Sequence, residues 1–348
     1  MTSVSESTGR RRRVVLVNPL AGTLTQYTTH LARSLRASGH EVHVEHVAEP
    51  SHSGGSRLSW LRSYAAAVLR ARKTCRSSAT QNAHRPRVIV TWPVLGYLDL
   101  FLLRLALGRR CDSWLVMHDP QPLVRAVGYS GVIRRTALRV MRRPALIVHS
   151  VTAHEALREQ GAERHAEILP LPVNPKKPGS ITGRDHNAHL TVRVFGQFKP
   201  DRDVELLARI ATRVPAGSQL EIHGRGWPAV EGWQVTDAFV PEERLDRLIA
   251  TSDVVVIPYK RFFQSAVAYR CLETGTPVVG SRNSSLVDLY PSNSPLLVSA
   301  GHDDADEIDR WVSALMTAKS LATAEVLELA HRADERCTRE WGRFAHRH

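Results

Sequence analysis

The sequence repeats one short pattern, in which an apolar run rich in β-branched residues is followed by a turn of small residues and then by a helix-period segment. Residues 14–17 end at Asn18-Pro19, and a segment with helical period spans residues 25–38 and closes at Gly39. Further predicted strands occupy residues 41–44, 88–90, 114–117 and 146–148. Repeated strand, loop and helix units predict a parallel sheet covered by helices.

The pattern is interrupted once and then restarts. Residues 169–175 contain three prolines, which fix φ and remove backbone donors, so this stretch predicts a connection between domains. Predicted strands resume at residues 191–195, 220–223 and 254–257. A chain of 348 residues has room for two α/β domains of roughly 150 residues each. We therefore predict a disordered tail at residues 1–10, an N-terminal domain at 11–173, a linker at 174–189, a C-terminal domain at 190–320, and final helices at 321–348 that pack back toward the N-terminal domain.

Several classes of protein are disfavoured by the composition. The cysteines have neither metal-ligand spacing nor the density of a disulfide framework: Cys75, Cys111, Cys271 and Cys337. The polar and basic N-terminus lacks a signal-peptide core, which argues against secretion. The longest apolar stretch, residues 93–107, contains Asp99 and Arg104 and is shorter than the roughly 20 residues that span a bilayer. We expect a cytoplasmic protein without a metal site.

The net charge of +13 is confined to the first half of the chain. Residues 1–175 contain 25 Lys and Arg against 11 Asp and Glu, whereas residues 176–348 contain 22 against 23. Such an excess fits an anionic membrane surface, an anionic acceptor or a nucleic acid, and it also fits solvated arginine-rich faces. Segments 60–73, 97–110 and 134–143 mix apolar residues with arginine, which is typical of helices that rest on anionic lipid and equally of helices that cover their own sheet.

In the first half, candidate binding residues follow predicted strands. Gly22 lies in a small-residue loop that leads into a helix, whose free N–H groups could face a phosphate or simply close a tight turn. His118 and His149 each follow a strand directly and predict a polar edge, where an imidazole can bind a sugar hydroxyl or an anionic leaving group.

In the second half, two loops carry the stronger signal. Gly196 and Gln197 follow the first predicted strand, and Lys199 and Arg202 supply cations of the kind that a diphosphate requires. The other loop contains Tyr259 and enters a helix at residues 264–266, namely Gln264, Ser265 and Ala266, where backbone donors would face a phosphate. Glu273, about two turns further along, is placed to accept from ribose hydroxyls.

These stretches resemble the family-4 GT-B glycosyltransferases over most of the chain. The strongest similarity covers residues 238–280, which end in Leu-Glu-x-Gly-x-Pro-Val-Val. Residues 31–42 are similar to the family's first helix and second strand, and residues 195–207 resemble its Gly-Arg-x4-Lys-Gly segment. The sequence departs from the family at three positions: Gln197 replaces an arginine, Asp203 a glycine, and Ser265 a glutamate.

The resemblance implies two Rossmann-like domains whose parallel sheets face a cleft, with the acceptor on the N-terminal side and the nucleotide sugar on the C-terminal side. It implies that Glu273 contacts the donor ribose, that Arg202 replaces the phosphate-binding lysine, and that His118 contacts the donor sugar. The expected reaction moves a hexose from a GDP- or UDP-sugar to a lipid-linked or polysaccharide acceptor with retention. The leaving diphosphate would be stabilised by Lys199, Arg202 and helix-end amides without a metal or other cofactor.

Two alternatives remain at this stage. The three departures from the family pattern also fit a GT-B protein that binds a nucleotide without turnover. A nucleic-acid-binding protein would explain the pI near 10.2, but no recognisable nucleic-acid-binding motif accompanies the basic charge, so we expect no nucleic-acid partner. Peripheral attachment of the N-terminal domain to the inner face of the plasma membrane is the expected location.

Overall fold

A computed structural model describes residues 12–50, 54–78, 85–108, 111–122, 126–140, 145–177, 189–260 and 262–347. The predicted tail at residues 1–10 and most of the predicted linker, residues 178–188, lie outside the described residues. The chain divides into two compact units. Unit 1 contains the residues up to His149 together with Ala153–Pro172 and Glu335–His348, and unit 2 contains Ser150–Thr152 and Val173–Asp334.

Unit 1 is built on a six-stranded parallel sheet of order β2-β1-β3-β4-β5-β6. Its elements in chain order are β1 (Arg13–Asn18), α1 (Thr25–Ala37), β2 (Glu41–His46), α2 (Arg57–Ser78), β3 (Arg87–Val90), α3 (Leu98–Leu107), β4 (Asp112–Val116), α4 (Gly131–Val140), β5 (Leu146–Val148), α5 (Val151–Glu159), a 3-10 turn at Glu163–His165, and β6 (Ala166–Ile168). Every residue of β3 and β5 is buried, as expected for central strands covered on both faces.

Unit 2 repeats this plan with the order β12-β11-β10-β7-β8-β9, again with parallel pairing throughout. Its elements are β7 (Thr191–Phe195), α6 (Val204–Ala211), β8 (Gln219–His223), β9 (Gln234–Thr236), α7 (Glu242–Ala250), β10 (Val254–Ile257), α8 (Ala266–Glu273), β11 (Val278–Ser281), a 3-10 turn at Ser285–Asp288, β12 (Leu297–Val298), α9 (Asp304–Ser320) and α10 (Thr323–His346). The predicted α/β architecture with two parallel sheets is confirmed.

The end of α10 belongs to the core of unit 1. Trp341 and Phe344 are fully buried in a cluster with Val14, Leu35 and other residues of β1 and α1. The Trp341 indole N–H donates to the Pro170 carbonyl at 2.9 Å, so its one polar atom is satisfied. Burial of two aromatic side chains of this size contributes several kcal/mol, and it attaches residues 335–347 to the first sheet.

Among the described residues, no helix combines the length and the apolar character needed to cross a bilayer. All four cysteines are free and buried.

Candidate functional site

Both sheets have a switch point, where the loops after two neighbouring strands lead in opposite directions. In unit 2 this point lies between β7 and β10, because the chain runs from β7 to β8 on one side and from β10 to β11 on the other. Open α/β sheets bind ligands in the crevice at the carboxyl ends of such strands. The loops concerned, residues 196–203 and 258–265, are the two that the sequence analysis selected.

These two loops are joined through their backbones. Arg202 and Tyr259 form an isolated antiparallel bridge. The Asp203 N–H donates to the Pro258 carbonyl at 2.7 Å, and the Lys260 N–H donates to the Asp201 carbonyl at 2.9 Å. These backbone hydrogen bonds hold the two loops of the switch point together.

Arg202 is the best-defined cation of this site. Its guanidinium carbon lies 3.3 Å from the centre of the Tyr259 ring, and its Nη1 donates to Asp201 Oδ1 at 2.8 Å. The side chain is only 7% exposed, and its Nε–H has no hydrogen-bond partner among the described residues. A buried cationic donor that is not satisfied costs about 1–3 kcal/mol, which makes it a candidate binding group for an anion. Burial raises the pKa of Tyr259, so its ring stays neutral beneath the guanidinium.

The backbone at Gly196 completes this part of the site. Gly196 has φ of +105°, which favours glycine, and its carbonyl accepts from the Trp227 indole at 2.8 Å. A Cβ on Gly224 would lie 1.9 Å from the same carbonyl oxygen, so the loops after β7 and β8 touch backbone to backbone. Gln197 and Lys199 are exposed beside them.

Two of the residues that depart from the family pattern are helix caps. Ser265 is the N-cap of α8, and its hydroxyl accepts from the Ala268 N–H at 3.3 Å. Asp203 is the N-cap of α6, and its Oδ1 accepts from the Leu206 N–H at 3.0 Å. Each cap satisfies one free amide of its helix. α8 begins at Ala266, two residues after half-buried Gln264, so its amino end lies in the predicted loop.

Glu273 occupies a different environment from the other predicted residues. It is the last residue of α8, and its Oε1 accepts from the Asn174 N–H at 2.7 Å. Eight helical residues extend about 12 Å, so its carboxylate is separated from Ser265 by the length of α8. Burial raises the pKa of Glu273 to about 7. The contact of Glu273 with a donor ribose therefore stays a prediction.

In unit 1, the switch point lies between β1 and β3, and the polar residues around it form a packed cluster. His118, predicted on a polar edge, is only 4% exposed. Its Nε2–H donates to the Thr91 carbonyl at 2.8 Å, and its ring stacks on Trp92 with centroids 5.3 Å apart. The His149 ring centroid lies 5.2 Å away, so the structure brings the two predicted histidines together.

His149 is held as a neutral imidazole. Its Nδ1–H donates to the Leu169 carbonyl at 2.8 Å, which leaves Nε2 as acceptor for the Tyr27 hydroxyl at 3.0 Å. Burial, followed by the nearby His118, lowers the pKa of His149 to about 3. Tyr27 also meets the His118 ring edge to face, with centroids 5.1 Å apart.

Gly22 is exposed in the turn between β1 and α1. Asn18 shapes this loop, since its Oδ1 accepts from the Leu20 N–H at 2.9 Å. The turn leads into α1, which has no acidic residue in its first turn, so the positive end of that helix is not neutralised by its own side chains.

Four residues at the two switch points were not predicted from the sequence: Asp201, Gly224, Trp227 and Tyr27. One signal was available: Gly224 and Gly226 follow a predicted strand, as the glycines of ligand loops often do. Nothing local to Tyr27 or Asp201 predicts their partners.

Comparison with known proteins supports the fold. No protein-family profile and no curated protein matches the sequence. Among solved structures, the catalytic domain of starch synthase IV from Arabidopsis thaliana, bound to ADP and acarbose, is similar with a TM-score of 0.63 and 12% identity over 96% of this chain and 97% of that one. Anabaena HepE in complex with UDP is similar with a TM-score of 0.60 and 13% identity over 95% and 98% of the two chains. AviGT4, a glycosyltransferase involved in avilamycin A biosynthesis, is similar with a TM-score of 0.57 and 17% identity over 96% and 98%.

The chain contains two Rossmann-like units, each with a parallel sheet and a switch point. The similar structures match it over nearly its whole length. The chain has the GT-B fold, as the resemblance implied.

Proposed function

We propose that this chain is a hexosyltransferase that transfers a hexose from a UDP- or GDP-sugar to a lipid-linked or polysaccharide acceptor with retention of configuration. The GT-B fold supports the proposal, because the similar structures include a starch synthase bound to ADP and acarbose, HepE in complex with UDP, and the glycosyltransferase AviGT4. The resemblance of residues 238–280 to family-4 enzymes supports retention.

One observation carries the proposal: the buried Arg202 guanidinium on the Tyr259 ring, beside Gly196 at the switch point of the second sheet. A pyrophosphate there would meet Arg202, the exposed Lys199 and the amino end of α8. These charges would stabilise the leaving nucleoside diphosphate, a large term in transfer reactions of this class. Turnover without an added divalent metal is part of the proposal and is tested by assay in excess EDTA.

His118 is proposed to contact the donor sugar. Its imidazole is fixed by Thr91 and packed by Trp92 and Tyr27, which gives it one orientation. A group oriented in this way is suited to hydrogen bonding with an uncharged hydroxyl.

The first test is thermal stabilisation of the full chain by UDP, GDP and their sugars. A ligand at 100 times its Kd stabilises the folded state by about 2.7 kcal/mol, which raises the melting temperature visibly. We expect one base to stabilise the protein, and Arg202→Ala to abolish the effect. Arg213→Ala is the matched control, because that exposed arginine pairs only weakly with Asp309, at 3.3 Å. No shift with any nucleotide would contradict the proposal.

A second candidate is a GT-B protein that binds nucleotide without turnover. It is favoured by the use of Ser265 and Asp203 as helix caps and by the pairing of Arg202 with Asp201. Both candidates predict the thermal shift, whereas only the enzyme consumes a donor sugar. Release of free nucleoside diphosphate in the presence of candidate acceptors therefore distinguishes them.

We also propose that unit 1, on the acceptor side, contacts an anionic membrane. On α3, Leu98, Phe101, Leu102 and Leu105 share one face at helical spacing, and Leu105 is 83% exposed. α3 packs against α4, which exposes Val132, Arg135 and Arg139. Exposed leucines beside arginines match the composition of interfacial helices. Arg109, Arg110, Arg142 and Arg143, which belong to the same predicted segments, lie outside the described residues.

Flotation with anionic vesicles tests this surface. We expect the protein to float at low salt, and the double variant Leu102→Ser with Leu105→Ser to stay in the dense fraction. Phe239→Ser is the matched control, since Phe239 in unit 2 is 65% exposed. Equal flotation of all three proteins would contradict membrane binding through Leu102 and Leu105. A mobility shift of DNA or RNA at physiological salt would favour nucleic acid as the partner instead.

A further inference from the structure

A second group of residues lies at the carboxyl edge of unit 2, beside the site proposed for the pyrophosphate. It comes from the loop after β8, residues 224–227, and from the residues after β9, 237–239. β7, β8 and β9 are neighbours in the sheet, so these residues follow Gly196 along the same edge. Adjacent strands are about 4.8 Å apart, which puts the end of β9 about 10 Å from the end of β7.

The loop after β8 is held against the loop after β7. The Phe198 N–H donates to the Arg225 carbonyl at 2.9 Å, and the Trp227 indole N–H donates to the Gly196 carbonyl at 2.8 Å. The Phe198 and Trp227 rings also meet edge to face, with centroids 5.3 Å apart. The loop that carries Arg225 is therefore fixed beside the loop that carries the proposed pyrophosphate ligands.

Arg225 and Phe239 form a stacked pair at this edge. The Arg225 guanidinium carbon lies 5.0 Å from the centre of the Phe239 ring. Phe239 is nevertheless 65% exposed, and Arg225 is exposed as well. Aromatic rings and guanidinium planes are the groups on which bases stack in proteins. The pair therefore offers a stacking surface to a base, within reach of a nucleotide whose pyrophosphate lies near Gly196.

A carboxylate is fixed next to this stacked pair. Asp237 Oδ1 accepts from the Gly226 N–H at 2.7 Å. Two consecutive residues of one loop, Arg225 and Gly226, thus contact Phe239 and Asp237 of the other. Asp237 is exposed, and a carboxylate accepts up to about four hydrogen bonds, so the bond from Gly226 leaves capacity for a ligand.

We propose that the base of the donor nucleotide stacks on Phe239 and Arg225, and that Asp237 selects guanine. This inference rests on the proposed function, because it concerns the nucleotide of the same site. Guanine carries an N–H and an amino group side by side, and a carboxylate accepts from both together. Uracil has one N–H between two carbonyl oxygens that repel a carboxylate, and the corresponding ring nitrogen of adenine is an acceptor. The donor is therefore a GDP-sugar.

The experiment measures the Kd of GDP, UDP, ADP and inosine diphosphate for the full chain by isothermal titration calorimetry. We expect GDP to bind at least about tenfold more tightly than UDP or ADP, because these bases leave the carboxylate without its hydrogen bonds. Inosine diphosphate keeps the ring N–H and lacks the amino group, so its Kd should lie between those of GDP and UDP.

Asp237→Asn tests the carboxylate by a change of preference. Xanthine carries a carbonyl oxygen where guanine carries the amino group, so the asparagine N–H should favour xanthosine diphosphate. We expect this variant to bind GDP about tenfold more weakly than the wild type, and xanthosine diphosphate more tightly. A gain of affinity requires a folded protein, so misfolding does not produce it. Asp309→Asn is the matched control, since Asp309 on α9 is 65% exposed, and it should keep the wild-type preference.

Phe239→Ala tests the stacking surface. Stacking does not depend on the hydrogen-bonding edge of the base, so this variant should bind GDP and UDP more weakly by a similar factor of about ten. Phe239→Tyr keeps an aromatic ring and should bind GDP as tightly as the wild type does. Equal affinity of Phe239→Ala and wild type for GDP would overturn the stacking.

The remaining outcomes separate this inference from the proposed function. UDP or ADP bound more tightly than GDP, or an Asp237→Asn variant with the wild-type preference, would overturn the selection of guanine and leave nucleotide binding intact. No binding of any of these nucleotides would contradict the proposed function, and the inference with it.

Discussion

The sheet of unit 1 and the sheet of unit 2 share strand number, parallel pairing and a switch point, but their carboxyl edges hold different side chains. At the edge of unit 1, His118, His149 and Tyr27 pack against one another. The His149 imidazole is neutral, because burial lowers its pKa to about 3. The edge of unit 2 holds Arg202 and Lys199 beside glycine backbone.

This difference matches the two kinds of ligand group in the proposed function. Neutral, oriented hydrogen-bonding groups suit sugar hydroxyls, whereas a buried guanidinium at a switch point suits a pyrophosphate. Four predictions test whether the two edges differ as described.

The largest effect is expected from Gly224→Ala, which tests the backbone contact at the edge of unit 2. The added Cβ would lie 1.9 Å from the Gly196 carbonyl oxygen, so the two loops must separate. Because overpacking against side chains already costs 1–3 kcal/mol, we expect at least about 3 kcal/mol of destabilisation here, together with loss of nucleotide binding. Urea denaturation and thermal shift with nucleotide measure both.

The control for that variant is Gly131→Ala in unit 1. Gly131 begins α4, and the nearest atom to an added Cβ is 4.0 Å away. Alanine there should be neutral or slightly stabilising. If Gly224→Ala were as stable as this control, the close approach at the edge of unit 2 would be unimportant.

The second effect is a pH dependence at Glu273. Burial raises its pKa from 4.5 to about 7, so between these values the folded chain holds a proton that the unfolded chain has released. Stability of unit 2 must therefore fall as pH rises through this range. Since the carboxyl is partly exposed, we expect the free energy of unfolding to fall by about 2 kcal/mol, which is less than the full pKa shift would give.

Glu273→Gln should remove this fall, because the amide stays neutral and still accepts from the Asn174 N–H. The variant should match the wild type near pH 5 and exceed it near pH 8 in thermal denaturation. Glu328→Gln on α10, an exposed i,i+4 partner of Arg332, is the control and should follow the wild type. Parallel stability curves for wild type and Glu273→Gln would refute the buried, protonated carboxyl.

The third effect concerns the cation that distinguishes unit 2. Arg202→Ala removes the guanidinium from the Tyr259 ring and should lower turnover at least tenfold, equal to about 1.4 kcal/mol of barrier. Steady-state release of nucleoside diphosphate measures it, with Arg213→Ala as control. Turnover equal to that of the control would remove Arg202 from the proposed mechanism.

The central strands of both sheets were predictable because their sequences are continuous apolar runs, as in the wholly buried β10. The sequence pattern missed β6, β9 and β12, which are edge strands of two or three residues. β6 and β9 are partly exposed and carry little apolar signal, whereas β12 is apolar and buried but has only two residues. The existence of such short strands depends on the neighbouring strand.

The candidate site likewise has features that the sequence predicts and features that it does not. The loops at Gly196 and Tyr259 were predictable because they follow strong strands, and position at a strand end is a local property. The ion pair of Arg202 with Asp201, the stacking on Tyr259 and the bond from Asn174 to Glu273 depend on side-chain direction and on long-range contact. The sequence placed Glu273 about two turns along its helix, but nothing local predicted that the Asn174 N–H donates to its carboxylate.

The smallest effect is expected at the edge of unit 1. Tyr27→Phe removes the hydroxyl that donates to His149 Nε2 and leaves a buried acceptor without its partner, at a cost of about 1 kcal/mol. His149 should remain neutral in both proteins, because burial lowers its pKa to about 3. Nitrogen chemical shifts of the imidazole, followed by NMR from pH 5 to pH 8, should therefore stay constant in the wild type and in the variant. A His149 that titrates in this range in the wild type would show that the edge of unit 1 carries positive charge, and the contrast with unit 2 would disappear.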